Sequence, residues 1–304
     1  MSIIVVLGAT GVQGGSVVKA FSSVPGWHVR AVTRDPSKPA ARQLEQGGVE
    51  VVKGDLDDPK SLAAAFEGAT AVFGVTNFVE TFDAEREYRQ GRNIADAAVE
   101  AKVNHLIWSS LPHMTKLSDG NIAVPHCDSK AMVEEYIRET GLNATYLWVG
   151  HYMSGLASDG SFLKIQKDSD GVYTVKVPCA PSTVVSAIDA EEDVGKFVKG
   201  IVDGGSKFYG KRVLAAGEHI SYADMMKQWS QVLGKPAKVQ ELSSKEELQA
   251  VMPIYTDGVW NMFSYFQNYG LKRGADIVNP EEVTESTVTT WMDYVKRSDW
   301  SSVL

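Results

Sequence analysis

The chain has 304 residues, 44% of them hydrophobic and 22% charged, the balance of a globular protein with a sizeable core. Its formal charge is -8, from 30 basic and 38 acidic residues, so it lacks the chain-wide basic surface that direct nucleic-acid binding calls for. Its only cysteines, Cys127 and Cys179, cannot build a disulfide framework or a four-cysteine zinc site, which points to a reducing, cytoplasmic setting. No apolar run reaches the ~18–20 residues of a membrane span. The opening run Ile3-Ile4-Val5-Val6-Leu7 has no basic residues before it and ends at glycines, unlike a signal peptide.

Ile3–Leu7 is expected to form a buried strand, and Ser16–Ser22 a helix after a glycine-rich turn. Strands are then expected at Val29–Thr33, Val49–Val52, Ala71–Val75, Leu106–Ser109 and Thr145–Val149. Between them fall helices at Ala40–Gln46, Pro59–Phe66, Glu85–Ala101 and Lys130–Thr140. Strands separated by helices require right-handed crossovers and a parallel, doubly wound α/β sheet. Residues 151–185 show little periodicity. Beyond them a helix is expected at Glu191–Val202, a strand at Lys211–Ala215, and helices at Tyr222–Leu233 and Lys245–Val251. A last helix is expected over Glu281–Lys296, with Asn279 as its cap, Pro280 at its first position and acids in its first turn.

The strongest chemical signal is Gly8-Ala9-Thr10-Gly11-Val12-Gln13-Gly14-Gly15. Glycines at positions 8, 11 and 14 lie between an expected strand and an expected helix, the context in which this spacing cradles a dinucleotide pyrophosphate. Gly8 permits the tight turn, Gly11 lets backbone approach the phosphates, and Gly14 lets the helix pack on the sheet. The plainer alternative is a simple strand-to-helix turn. At the end of the second strand stands Thr33-Arg34-Asp35, with Lys38 close behind. Arg34 can grip a 2′-phosphate in bidentate fashion and Lys38 can add charge, favouring NADP(H); Asp35 keeps NAD(H) open. Asp55 and Leu56, after the third strand, and Thr76 and Asn77, after the fourth, are placed to line the adenine and ribose ends of the same site. Asp55 also has a bland alternative, capping the helix that follows.

These stretches, Gly54-Asp55-Leu56 and the helix start His126-Cys127-Asp128-Ser129-Lys130 together resemble the NmrA-like family, atypical members of the short-chain dehydrogenase/reductase superfamily. The resemblance covers about residues 3 to 295. It implies a Rossmann domain, expected over 1–150 with later segments returning to it, and a smaller α+β lobe over 151–304 for substrate or partner. It also implies NAD(P) binding and one of two roles. One is a regulator that senses the dinucleotide pool and acts through protein partners, in the cytoplasm or the nucleus. The other is an NADPH-dependent reductase of a small carbonyl, imine or conjugated substrate.

The superfamily's reductases carry a Tyr-x-x-x-Lys pair, and here His126 stands at the tyrosine position while Lys130 is retained. That departure favours the regulator. Lys130 can hold the nicotinamide ribose or, as in a related reductase group, act in catalysis. His126 can serve as an acid if it titrates near neutrality, and Ser109 or Ser110 can reach a substrate carbonyl. Tyr152 can supply a hydroxyl in place of the missing tyrosine. Cys127 reads as a buried, inert thiol. The aromatic cluster Trp260, Phe263, Tyr265, Phe266 and Tyr269 reads as core, or as a lid if exposed. His105 and His113 show no metal-ligand spacing, and no metal site is assigned.

Overall fold

A computed structural model describes residues 1–304. In chain order its first half contains β1 (Ser2–Val6), α1 (Val12–Ser22), β2 (Trp27–Thr33), α2 (Pro39–Gln46), β3 (Glu50–Lys53), α3 (Pro59–Phe66), β4 (Ala71–Gly74), α4 (Ala84–Glu100), β5 (His105–Ser110), α5 (Met114–Leu117), α6 (Pro125–Thr140) and β6 (Ala144–Val149). The second half adds β7 (His151–Tyr152), β8 (Gln166–Lys167), β9 (Tyr173–Val177), β10 (Val184–Ile188), α7 (Ala190–Gly204), β11 (Arg212–Ala215), β12 (Glu218–Ser221), α8 (Tyr222–Leu233), β13 (Ala237–Glu241), α9 (Lys245–Val251), α10 (Thr256–Tyr269) and α11 (Trp291–Arg297). None of the helices is long and apolar enough to cross a membrane.

The main sheet has seven strands in the order β11-β6-β5-β4-β1-β2-β3, and every neighbouring pair is parallel. Side chains alternate across it, as the two-residue period of a strand dictates. Ile4 and Val6 face one layer with Val17 and Phe21 of α1 and Val194, Phe197 and Ile201 of α7. Val5 and Leu7 face the other, with Leu62 of α3, Ile94 of α4 and Val133 of α6. Helices on both faces explain why β5 and β6 are buried at every position. The α1–α7 crossing is close because residue 195 is glycine. A Cβ there would lie 2.2 Å from the Ser16 carbonyl oxygen, and its N–H donates to Ser16 Oγ at 2.9 Å.

Connections leave β1 toward β2 on one side and lead to β4 on the other. This reversal opens a crevice beyond the carboxyl ends of the strands, where ligands bind in doubly wound sheets. The smaller lobe supplies two three-stranded sheets, β12-β10-β7 and β13-β9-β8, around Tyr173, Tyr222, Trp229, Phe263, Trp291 and Trp300. Its Val184, Val185, Met262 and Phe266 line a cavity at that crevice.

The helix expected over Glu281–Lys296 is interrupted. Asn279 forms a capping box with Glu282, but the turn ends after Pro280–Glu282, and α11 begins only at Trp291. Residues 283–290 read Val-Thr-Glu-Ser-Thr-Val-Thr-Thr, and such β-branched and hydroxyl side chains disfavour helix interiors. Their backbone finds tertiary partners instead. Thr289 N–H donates to Asp193 at 2.8 Å and the Thr287 carbonyl accepts from Lys196 at 2.8 Å. Gly200 and Gly217 admit this strap, since a Cβ on either would lie 2.1 and 2.0 Å from the carbonyl oxygens of Val283 and Thr289.

Candidate functional site

The first turn of α1 forms the floor of a groove. Gly8 has φ +60°, and a Cβ on Gly14 would lie 2.2 Å from the Gly8 carbonyl oxygen, so the loop and helix can close up only with glycine at both places. Gly11 is the extended N-cap residue, and no side chain caps α1, which leaves first-turn N–H groups available to an anion. The groove encloses about 570 Å³. Gly8, Thr10, Gly11, Val12, Gln13 and Gly14 line one wall, Arg34 and Lys38 one end, and Asp55, Leu56, Thr76 and Asn77 contribute further lining. These backbone donors, the basic end and the unfilled space beside three glycines fit a dinucleotide. Two acids of the groove are locally engaged. Asp35 accepts from Ser37 N–H and Oγ at 2.9 and 2.6 Å, and these bonds hold its carboxyl below the usual range. Asp55 accepts from Asp57 N–H at 3.0 Å. The cap of α3 is Asp58 rather than Asp55.

A second cavity, of about 450 Å³, adjoins the groove. Gln13, Thr76, Asn77, Val79 and Tyr152 line both. At this junction Gln13 is held from two sides. Its Oε1 accepts from Ser109 Oγ at 2.8 Å, and its Nε2 donates to Tyr152 Oη at 2.7 Å. The amide thus links the Ser109 and Tyr152 hydroxyls and holds the phenol at the mouth of the cavity. Burial raises the pKa of that phenol, with the Gln13 bond opposing. Ser110 is directed elsewhere, with its hydroxyl on buried Glu134 at 3.1 Å.

Lys130 lines the second cavity, but its ammonium is tied back to Glu87. Glu87 is only 2% exposed and also accepts from Ser129 Oγ and, at 2.8 Å, from Thr76 Oγ1. Four side chains from α4, α6 and the loop after β4 thus form one closed polar knot at the cavity wall.

His126 is not a solvated ring at a helix start. Its Nδ1 lies 3.1 Å from Tyr255 Oη and its Nε2 3.3 Å from Met262 Sδ, both from the smaller lobe. Burial, reinforced by the Lys130 charge, lowers its pKa to about 4. The imidazole is therefore neutral at pH 7 rather than titrating near neutrality. Cys127 is buried, and burial pushes its thiol well above the ordinary range, which makes it a poor nucleophile. In the aromatic cluster, Phe263 and Tyr265 are fully buried, while Phe266 reaches the second cavity.

Sequence reasoning missed Glu87, Phe78, Tyr255 and Met262. Glu87 sits in a polar stretch of α4 with nothing to set it apart, although a lysine buried at 9% exposure demands a counterion. Tyr255 lies 129 residues from His126, beyond any local pattern.

The profile of the NmrA-like family matches residues 1–295. The chain belongs to that family. Among its relatives, the NmrA-like family domain-containing oxidoreductase ptmS of Penicillium ochrochloron is 30% identical over 89% of this chain and 80% of its own length. The corresponding oxidoreductase FrzB of a Cladobotryum species is 28% identical over 88% and 84%. In fold, this NmrA-like chain is similar to the negative transcriptional regulator NmrA in complex with NADP, with a TM-score of 0.79 at 24% identity over 97% and 94% of the two chains. It is equally similar to the Citrobacter triphenylmethane reductase complexed with NADP(H), with a TM-score of 0.78 at 21% identity over 98% and 99%.

Proposed function

We propose that this NmrA-like protein is an NADPH-dependent reductase of a small, uncharged, largely apolar carbonyl, imine or conjugated compound. The observation that carries this reading is the junction itself, where a dinucleotide-sized groove meets a largely apolar cavity beside the Tyr152 hydroxyl held by Gln13. NADPH, when bound, supplies the hydride. Gly8, Thr10, Gly11, Val12, Gln13 and Gly14 cradle its pyrophosphate, Arg34 and Lys38 take the 2′-phosphate, and Asp55, Leu56, Thr76 and Asn77 line its remaining length. NAD(H) fits the same groove without the 2′-phosphate contact. Names of relatives that include "oxidoreductase" agree with this reading.

Tyr152 donates a proton, or a hydrogen bond, to the oxygen or nitrogen on which charge builds, and Gln13 holds the phenol in place. His126 is a neutral wall of the cavity that fixes Tyr255. Lys130 serves as a positioning residue, since its charge is satisfied by Glu87. With that charge neutralised, the cavity offers no free cation to a carboxylate substrate, hence the uncharged class. NADPH oxidation across a panel of apolar ketones, imines and enones tests the proposal. Tyr152→Phe should lower kcat about 100-fold or more with little change in NADPH affinity, and His126→Gln much less. Turnover unaffected by Tyr152→Phe would overturn the acid assignment.

Arg34→Ala should weaken NADP(H) about 10-fold or more while NAD(H) changes little. Equal losses, measured by calorimetry, would remove Arg34 from the 2′-phosphate site. The second reading is a dinucleotide-sensing regulator acting through a protein partner. It is favoured by His126 standing, uncharged, where the superfamily's reductases have tyrosine. Tight NADP(H) binding with no turnover on the whole panel would select it.

A further inference from the structure

Arg34 is not free in this structure. Its guanidinium is paired with the carboxylate of Glu80, which follows 46 residues later in the turn Phe78–Glu80. Glu80 lines the dinucleotide groove beside Arg34. The same short segment walls the second cavity, through Phe78 and Val79. Phe78 is buried and packs on the rings of His126 and Tyr255 at 5.6 and 5.0 Å. Phe82, held at φ +53°, packs on Tyr255 at 5.5 Å. Segment 77–82 is therefore pinned to the cavity by aromatic packing and to the groove by one surface ion pair. Such a pair is weak, and a dianionic phosphate offers the guanidinium a stronger, bidentate partner.

We propose that Glu80 is a built-in counterion that occupies Arg34 until a 2′-phosphate displaces it, so that segment 77–82 signals to the substrate cavity which dinucleotide is bound. NAD(H) leaves the Arg34–Glu80 pair intact, whereas NADP(H) breaks it and frees the end of the segment that carries Val79. This rests on Arg34 being the 2′-phosphate contact. Glu80 is then a specificity residue that acts against NADP(H), opposite in sign to Arg34.

The test uses 2′,5′-ADP and 5′-AMP as probes on the full chain, with Glu80→Gln and Arg34→Ala. Glu80→Gln should bind 2′,5′-ADP about two- to fivefold more tightly and leave 5′-AMP unchanged. In the wild type, 2′,5′-ADP should speed hydrogen exchange at the amides of Glu80, Thr81 and Phe82, which bond to Asn77 and Phe78 carbonyls, and 5′-AMP should not. In Glu80→Gln the exchange should already be fast. If Glu80→Gln gains nothing while Arg34→Ala loses 2′,5′-ADP affinity, the counterion proposal falls and the Arg34 reading stands. If affinity rises but exchange in the segment does not move, the link to the cavity falls. If Arg34→Ala binds 2′,5′-ADP like the wild type, both readings fall together.

Discussion

Glu87→Gln should cost about 3–5 kcal/mol of folding stability, the range for breaking a buried ion pair from one side. The side chain barely changes in size, so the loss comes from charge. Lys130 would keep an ammonium at 9% exposure with an amide in place of its counterion. Ser129 and Thr76, which now donate to Glu87, would compete for the single remaining acceptor oxygen. The double variant Glu87→Gln/Lys130→Met should recover much of the loss, because removing both charges removes the desolvation penalty as well. Urea unfolding of the three proteins measures this. A single-variant loss under about 1 kcal/mol would mean that the knot is not what keeps Lys130 buried.

The second large effect is acid sensitivity. His105, His126 and His151 all have pKa values lowered to about 4 by burial. A histidine whose folded pKa lies below its unfolded value stabilises the protein at neutral pH. That contribution is lost as the pH falls through about 6.5, where the unfolded chain starts to take up the proton, and the loss levels off near 4. At His105 the cause is burial. The residue is 4% exposed, its Nε2 lies 2.8 Å from Thr145 Oγ1, and that hydroxyl donates to the Phe208 carbonyl at 2.8 Å. The Thr145 oxygen must therefore accept, which fixes the Nε2–H tautomer. His105 alone should contribute about 3 kcal/mol across this window, with His126 and His151 acting in the same direction. Urea midpoints between pH 8 and 4.5 should fall steeply below 6.5, and His105→Gln should flatten the slope by about one proton. An unchanged slope would show that His105 is protonated in the native state. Carboxylates such as Asp57, lowered chiefly by its hydrogen bond from Arg86, lose their contribution at lower pH and do not obscure the window.

The parallel sheet was legible because its strands are short apolar runs set between helices, and because glycines at 8, 11 and 14 fall between the first strand and its helix. The groove residues followed from that frame, since they lie at a strand's carboxyl end or at the start of the helix that follows it. The smaller lobe was less legible. β13, Ala-Lys-Val-Gln-Glu, is a mostly polar edge strand, and β7 and β8 are two residues each, too short to show a period. Genuine helix-start signals at Asn279 and Pro280 open only a single turn, because tertiary hydrogen bonds to Asp193 and Lys196 hold the strap over 283–290 that follows. Glu87 and Tyr255 were invisible for a different reason. Their roles depend on partners far away in sequence, and nothing in their own neighbourhoods marks them.

The seventh strand of the main sheet, β11, comes from the second half of the chain and pairs with β6, and α7 covers α1. During synthesis, the glycine loop and Arg34 leave the ribosome long before the elements that complete their layer. Until residue 215 has emerged, β6, all six of whose residues end up buried, has one hydrogen-bonding edge open and apolar, a template for association with another chain. The nascent protein should therefore need protection through that interval, and premature stops between residues 150 and 210 should give aggregates rather than a small, soluble dinucleotide-binding fragment.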